Sequence, residues 1–312
     1  MTTQSTTDDL FDSPITYPDV GARERLYRLV GVDDHKTRLA KMLGLLINPS
    51  GLNAWVSKHH PEASGVLDTV LRRPPLVVLA GDVGSGKSEL AETIGDDVAR
   101  REGVSIVLFP MSLSTRGQGR VGEMTQLLSA AFDHTLREAR RFKDVNGASR
   151  GAVVLLVDEA DAIAQSREAA QMHHEDRAGV NAFIRGVDRL ANSKLPAAVI
   201  MCTNRLGALD PAVQRRAADI LTFTRPDRGQ RSAILAPHLH QLGFSQTQLA
   251  AVVDATGPHQ HGDYGFTFSD LTQRLLPAIV LDAYPDGPVN ADSALKITQA
   301  MTPTAPFRDG AS

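Results

Sequence analysis

The sequence predicts an α/β fold in which helices cover both faces of a parallel five-stranded sheet and a small helical domain follows. Three observations support this prediction. Short apolar runs alternate with helical patterns, which is typical of a parallel sheet with crossover helices. A glycine-rich segment directly follows the first of these runs. After Pro226 the runs that predict strands stop, and helical patterns continue to the C-terminal region.

Each predicted strand is a short apolar run bounded by turn residues, as expected of a strand buried on both faces. In chain order these runs are residues 76–80, 105–109, 153–157, 197–204 and 219–224. Apolar residues at helical spacing mark the later segments 228–243, 245–257, 268–284 and 291–301. We therefore expect a disordered tail at 1–24, a large α/β domain at 25–225, a small helical domain at 226–302 and a second tail at 303–312.

The composition argues against several classes of protein. The net charge is −3 and the isoelectric point is near 6.4, so no basic surplus indicates a nucleic acid or an anionic membrane as partner. Cys202 is the single cysteine, so no disulfide can form within the chain, which fits a reducing cytosol. The N-terminal segment lacks the basic start and apolar stretch of a signal peptide, and no apolar run is long enough to span a membrane. These features predict a soluble cytoplasmic protein.

The glycine-rich segment has the spacing of a phosphate-binding loop. It reads Gly81-x-x-x-x-Gly86-Lys87-Ser88 and lies between the first predicted strand and a helical pattern. In that context the backbone N–H groups bind phosphates, the lysine reaches the β and γ oxygens, and the serine hydroxyl ligates Mg²⁺. The sequence therefore predicts an ATP site, with contacts from Gly81, Asp82, Val83, Gly84, Ser85, Gly86, Lys87 and Ser88.

An acidic pair ends the third predicted strand. Asp158 follows the apolar run and is expected to hold Mg²⁺, while Glu159 is expected to polarise the attacking water as the general base. The letters from Asp158 to Asp161 also spell DEAD, a mark of RNA helicases. Those enzymes need two tandem α/β domains, whereas here one such domain is followed by helices. The pair therefore indicates nucleotide hydrolysis outside the helicase class.

A second glycine pattern, Gly117-x-Gly119-x-x-Gly122, matches the fingerprint of a dinucleotide-binding turn. That fingerprint binds NAD when it closes the first strand–helix turn of a Rossmann unit. Here it follows the second predicted strand, and the phosphate-binding loop already follows the first. We therefore interpret the segment 114–125 as a flexible loop with another role.

At this point the chain resembles the AAA+ ATPases, from about residue 29 to residue 284. The strand ending at Asn204 matches the position of the sensor-1 residue of that family, and the segment 209–227 is similar to its second region of homology. The resemblance implies that Arg215 and Arg216 are arginine fingers acting on a neighbouring subunit. It also implies that Arg274 is the sensor-2 arginine and that Gly31 and Val32 line the adenine pocket.

The pattern Arg274-x-Leu276-Pro277 is similar to the pachytene-checkpoint AAA+ ATPases, which remodel HORMA-domain proteins. This resemblance implies a homo-oligomeric ring, expected to be a hexamer, that remodels a HORMA-domain partner. In a bacterium, such a role would place the protein in the regulation of anti-phage signalling. The alternative is a DNA-associated AAA+ ATPase of the clamp-loader or initiator type, which the acidic charge balance does not favour.

The position of segment 114–125 in the resemblance is that of the first pore loop, which faces the central channel of AAA+ rings. Its glycines give the loop freedom to move, and Val121 is the bulky apolar side chain available to grip a polypeptide. No aromatic residue lies in the segment, a departure from loops that thread proteins. The sequence therefore predicts local remodelling by a pore loop that includes Arg116, Gly117, Arg120, Val121 and Gly122.

Overall fold

The computed structural model describes residues 10–113, 123–143, 149–164, 174–204, 209–258 and 264–306. The chain forms two compact units. The first takes in the described residues of 1–27, 34–80 and 88–222, and the second those of 28–33, 81–87 and 223–312. Residues 81–87 of the phosphate-binding loop therefore belong to the second unit, although the segments before and after them in the sequence belong to the first.

The predicted α/β class is confirmed, but the sheet has six strands where the sequence predicts five. The strands are β1 Ile15–Tyr17, β2 Leu76–Gly81, β3 Ser105–Ser112, β4 Gly151–Asp158, β5 Ala197–Thr203 and β6 Asp219–Phe223. Their order across the sheet is β1-β3-β4-β5-β2-β6. The pairs β3–β4, β4–β5 and β2–β5 are parallel, whereas β1 runs antiparallel to β3.

The additional strand is β1, in a stretch that the composition assigns to a disordered tail. Residues 10–24 are instead ordered, because Leu10, Phe11 and Tyr17 are buried and β1 pairs with β3. Tyr17 lies opposite Ile106, 89 positions along the chain (106 − 17). Three residues carry no clear alternation of apolar and polar side chains, so their local sequence could not predict a strand.

The apolar runs form the core of the first unit because all residues of β2 and β5 and all but the last of β4 are buried. Burial on both faces explains why these strands are continuously apolar and do not alternate. Two long helices, α6 Glu123–Phe142 and α8 His174–Ser193, pack on this sheet and on each other. The rings of Phe132 and Phe183 meet edge to face there, with centroids 5.8 Å apart.

The remaining helices of the described residues are mostly short. In chain order they are α1 Val20–Arg28, α2 Asp33–Ile47, α3 Pro49–His59, α4 Ser64–Leu71, α5 Lys87–Glu102, α7 Asp161–Ala164, α9 Pro211–Gln214, α10 Arg228–Gln241, α11 Gln246–Ala255, α12 Leu276–Ala283 and α13 Ala291–Ala300. No helix in the described part of the chain is both long and apolar enough to cross a bilayer.

The second unit contains helices whose ends are fixed by their own sequences. Asp227 and Gln230 form a capping box at the start of α10, and Ser245 and Gln248 form another at α11. The segment Asp270–Leu275 is a π-helix that leads directly into α12. Pro277 explains this wider turn, because proline lacks an N–H donor and its ring crowds the carbonyl four residues earlier.

Candidate nucleotide-binding site

The predicted phosphate-binding loop joins the end of β2 to the start of α5. Its backbone needs glycine at two places that decide its shape. A Cβ on Gly81 would collide with the carbonyl oxygen of Phe223, and Gly84 has a φ of 68° with the Thr267 hydroxyl 2.8 Å from the position of a Cβ. The loop ends at a helix N-terminus, where free N–H groups and the helix dipole favour an anion.

Lys87 is buried and folds back over this loop. Its Nζ donates hydrogen bonds to the carbonyl oxygens of Gly81 and Asp82, at 3.1 and 2.7 Å, and lies 3.4 Å from the Ser85 hydroxyl. These contacts hold the ammonium group inside the loop. A phosphate bound by the loop N–H groups would therefore meet a positive charge already in place.

The predicted acidic pair lies at the carboxyl end of β4. The Asp158 carboxylate accepts a hydrogen bond from the backbone N–H of Glu159 at 2.8 Å, and the Ser112 hydroxyl donates to Glu159 Oε2 at 2.6 Å. Glu159 has a φ of 50°, a left-handed conformation that is uncommon for a side-chain-bearing residue and recurs at functional sites. Ser112 therefore sets the direction of the predicted base, a role that sequence reasoning missed.

Both acids border a cavity of about 330 Å³ in the first unit. Its lining residues are Asp12, Glu92, Pro110, Met111, Ser112, Leu156, Asp158 and Glu159. Carboxylate oxygens beside open space suit Mg²⁺, which usually keeps several waters and takes one or two protein carboxylates. The donor chemistry at Asp158 therefore fits the metal expected there, with the Ser88 hydroxyl as the second predicted protein ligand.

The predicted sensor Asn204 is fixed by Asp161, the first residue of the short helix α7 that follows β4. Asp161 accepts hydrogen bonds from the backbone N–H of Asn204 at 2.6 Å, from its Nδ2 at 3.0 Å and from the Thr203 hydroxyl at 2.8 Å. Asp161, the last residue of the DEAD sequence, therefore holds Asn204 in place. Because β4 and β5 are adjacent and parallel, their carboxyl ends bring these residues together.

The two predicted arginine fingers have different surroundings. Arg216 donates two hydrogen bonds to the Asp188 carboxylate, at 2.6 and 2.9 Å, and a third to the carbonyl of Ala212 at 3.1 Å. Arg215 follows α9 and is exposed, and its guanidinium has no side-chain partner among the described residues. Arg215 is therefore the more accessible of the two.

The predicted sensor-2 residue Arg274 lies on the π-helix and pairs with Asp270. The distance from its Nη1 to Asp270 Oδ1 is 2.6 Å, and Thr304 Oγ1 is 3.3 Å away. Burial alone would raise the pKa of Asp270, but hydrogen bonds from Thr267, Thr304 and Arg274 outweigh it and lower that pKa to about 2. Asp270 is therefore a buried anion that holds Arg274.

Gly31 and Val32, the predicted adenine-pocket residues, belong to the second unit. Val32 is buried, and Gly31 has a φ of 82°. The Gln230 side chain donates a hydrogen bond to the Gly31 carbonyl at 2.6 Å. This bond anchors the turn to the start of α10.

Residues 77–225 match the model of the ATPase family associated with various cellular activities (AAA). The chain is 63% identical over 309 residues to CD-NTase-associated protein 6 of Escherichia coli strain MS 115-1, covering 99% of both chains. This chain belongs to the AAA ATPase family. Nucleotide binding and ATPase activity are the general properties of this family.

Two solved structures are close to this AAA ATPase. A chain from the structure of an E. coli MS115-1 HORMA:CdnC:Trip13 complex is 62% identical, with a TM-score of 0.89, 98% of this chain covered and 100% of that one. The structure of Rhizobiales Trip13 is 58% identical, with a TM-score of 0.74, 95% of this chain covered and 100% of that one. The predicted resemblance to the pachytene-checkpoint type of AAA ATPase is thereby confirmed.

One predicted feature of this AAA ATPase lies outside the described residues. The first pore loop was expected at 114–125, and its predicted residues Arg116, Gly117, Arg120, Val121 and Gly122 all fall in the undescribed segment 114–122. Their role remains a prediction.

Sequence reasoning also missed a cation beside the phosphate-binding loop. Arg225 Nε pairs with Asp82 Oδ2, although the string Arg225-Pro226-Asp227 reads as a domain boundary. A signal was present, because an aspartate inside an anion-binding loop calls for a compensating positive charge.

Proposed function

We propose that this AAA ATPase hydrolyses ATP in a homo-oligomeric ring, a hexamer, and uses the energy to remodel a HORMA-domain protein. The observation that carries the proposal is the near full-length similarity to a chain of the HORMA:CdnC:Trip13 complex, at 62% identity. Because the relative in E. coli is named CD-NTase-associated protein 6, the proposal includes regulation of anti-phage signalling in the cytoplasm.

The arrangement of the described residues supports a division of labour in hydrolysis. Lys87 and the loop N–H groups bind the phosphates, and Asp158 with Ser88 holds Mg²⁺. Mg²⁺ held by these two residues would supply positive charge close to the phosphate oxygens. Glu159, directed by Ser112, accepts a proton from the attacking water, and Asn204 helps to place that water near the γ-phosphate.

The predicted arginine fingers are the reason for proposing a ring. A guanidinium supplied by the adjacent subunit stabilises the charge that develops during phosphoryl transfer, so hydrolysis depends on assembly. The exposed side chain of Arg215 supports this role, and Arg274 would report the nucleotide state to the helices of the second unit. Each subunit would thus lack full activity on its own.

The test is a pull-down with Glu159→Gln, which should retain ATP and trap the protein substrate. We expect a HORMA-domain partner to be recovered with ATP and lost with ADP, while Lys87→Ala recovers none in either case. A second arm adds duplex DNA to the ATPase assay. DNA stimulation, without any effect of a HORMA-domain protein, would contradict the proposal in favour of a DNA-associated ATPase.

Remodelling also depends on the predicted pore loop. Val121→Ala and Gly122→Pro should lower conversion of the HORMA-domain partner more than they lower ATP turnover, because they reduce grip and loop movement and do not touch the phosphates. The ratio of partner molecules converted to ATP hydrolysed measures this effect. An unchanged ratio in both variants would argue against a pore loop at this position.

A further inference from the structure

The second unit contains a partly buried ion pair that involves the phosphate-binding loop. Arg225 and Asp82 are exposed by 13% and 17% of their side-chain surface. Asp82 follows the first glycine of the loop, and its Oδ1 also accepts a hydrogen bond from the Val83 N–H at 2.9 Å. The Asp82 carboxylate therefore lies within a loop whose N–H groups are expected to bind phosphate.

The guanidinium of Arg225 is held in one orientation by the protein. Beyond Asp82, its Nη1 donates to the Gly265 carbonyl at 2.6 Å and its Nη2 to the Thr304 carbonyl at 2.7 Å. The ring of Tyr264 lies against it, with 4.7 Å from Cζ to the ring centroid. Because each of the three nitrogens of the guanidinium fork has its own acceptor, the group is fixed in a way that a lysine ammonium cannot reproduce.

Thr304 joins this arginine to the predicted sensor arginine. While its carbonyl accepts from Arg225, its N–H donates to Asp270 Oδ2 at 3.0 Å and its hydroxyl to Asp270 Oδ1 at 2.6 Å. The same Asp270 Oδ1 accepts from Arg274. Thr304, which the sequence assigns to a tail, therefore bridges Arg225 and the Asp270–Arg274 pair.

The charges in this cluster have a direct consequence for an anionic ligand. A carboxylate in a phosphate-binding loop repels phosphate, and at low exposure the repulsion is poorly screened by water. Arg225 cancels that charge without occupying the loop N–H groups. If Arg225 were removed, Asp82 would remain as an uncompensated anion in the loop.

We propose that Arg225 is a positioning residue for nucleotide binding, which neutralises Asp82 in the phosphate-binding loop and, through Thr304, couples that loop to Arg274. This inference rests on the proposed nucleotide site. It predicts that the contributions of Arg225 and Arg274 to ATP affinity depend on each other.

The test measures ATP dissociation constants by calorimetry in full-length protein carrying Glu159→Gln, so that turnover does not interfere. Arg225→Ala should weaken binding about tenfold, equivalent to about 1.4 kcal/mol. Adding Asp82→Asn to Arg225→Ala should recover most of this loss, because the repelling charge is gone. Melting temperatures are measured alongside, because a merely structural role would lower the stability of Arg225→Ala and not only its affinity for ATP.

A matched control is Arg228→Ala, which breaks another arginine–aspartate pair of the same unit. Arg228 pairs with Asp254 at 2.6 Å, and the two side chains are 61% and 59% exposed. We expect its dissociation constant to stay within about twofold of the parent value. Arg225→Lys keeps the charge but loses the guanidinium fork, so its ATP dissociation constant should lie between those of the parent protein and Arg225→Ala. This variant keeps the test valid if Arg225→Ala does not fold.

A double-mutant cycle tests the bridge through Thr304. If the bridge couples the two arginines, the losses in ATP affinity from Arg225→Ala and Arg274→Ala should be less than additive in free energy. Additive losses would overturn the coupling.

The remaining outcomes separate this inference from the proposed site. If Arg225→Ala binds ATP like the parent protein while Lys87→Ala does not, the site stands and the positioning role is wrong. If Asp82→Asn fails to rescue a weakened Arg225→Ala, charge neutralisation is wrong. If Lys87→Ala also binds like the parent protein, the nucleotide site itself is wrong.

Discussion

Arg216 is bound to Asp188 through two parallel hydrogen bonds, from Nε to Oδ1 at 2.6 Å and from Nη2 to Oδ2 at 2.9 Å. This contact raises the pKa of the Arg216 guanidinium and ties the end of α9 to α8. Arg215, one residue earlier, is exposed. Two arginines that the sequence presents as equivalent therefore differ in how freely their side chains can move.

The first prediction concerns these arginines in a mixed ring. Subunits with Arg215→Ala keep the base but lack the finger, whereas subunits with Glu159→Gln keep the finger but lack the base. Mixing the two inactive variants should restore ATP hydrolysis, because some interfaces regain both groups. Phosphate release assays on rings shown by mass to contain both variants provide the measurement.

The same experiment with Arg216→Ala compares the second arginine. Because Arg216 and Asp188 are partly exposed, breaking their pair should cost less than about 1 kcal/mol of stability. Recovery in the Arg216→Ala mixture is expected as well if Arg216 also acts in trans. A complete lack of recovery in both mixtures would count against fingers supplied by a neighbour.

The second prediction separates binding from hydrolysis. Lys87→Ala removes the ammonium group held inside the loop and should abolish detectable ATP binding. Glu159→Gln should retain binding and ATP-dependent assembly but lower turnover by at least about a hundredfold, since the base is lost. Equilibrium binding and turnover assays distinguish them, and equal affinity in wild type and Lys87→Ala would refute the assignment of the loop.

The third prediction tests the support beneath Asn204. Asp161→Ala removes three hydrogen bonds that hold Asn204 and Thr203, so the sensor should lose its fixed position. We expect kcat to fall about tenfold or more with little change in ATP affinity, because misplacement acts on the chemical step. Asp97→Ala is the control, since Asp97 pairs with Arg101 on the surface of α5. Equal kcat values in the two variants would contradict this role of Asp161.

The fourth prediction uses the buried anion Asp270. Its pKa in the folded protein is about 2, below the ordinary value of 3.8, so its ionised form stabilises the fold. That stabilisation is fully present above pH 3.8 and is lost as the pH falls through about 2. When the free energy of unfolding is measured at decreasing pH, the wild-type protein should lose this contribution, whereas Asp270→Asn should not. Parallel curves for the two proteins would show that Asp270 does not contribute.

The sequence predicted those parts of the site whose chemistry depends on short-range spacing. The phosphate-binding loop and the acidic pair each lie within a few residues of a strand end, where one apolar run reveals the strand. Their partners could not be read in the same way. Ser112 lies 47 positions from Glu159, and Arg225 lies 143 positions from Asp82. Such contacts depend on strand order and on the packing of the second unit.

The number of strands was predicted incorrectly for a related reason. A strand of three residues gains its stability from the strand beside it, and β1 has no sequence pattern of its own. Tyr17 is held by a hydrogen bond from its hydroxyl to the Glu92 carbonyl and fits over Gly95, where any Cβ would collide with its ring. The glycine was visible in the sequence, but the side chain that requires it lies 78 residues earlier (95 − 17).

The position of β1 also affects which strand edge the sheet exposes on this side. A long, bare strand edge captures extended segments of other chains by β-augmentation. Ile15–Tyr17 already occupies the outer edge of β3. Because β1 is itself the outermost strand and is only three residues long, the edge that remains there offers few backbone groups to an added segment, which limits such pairing.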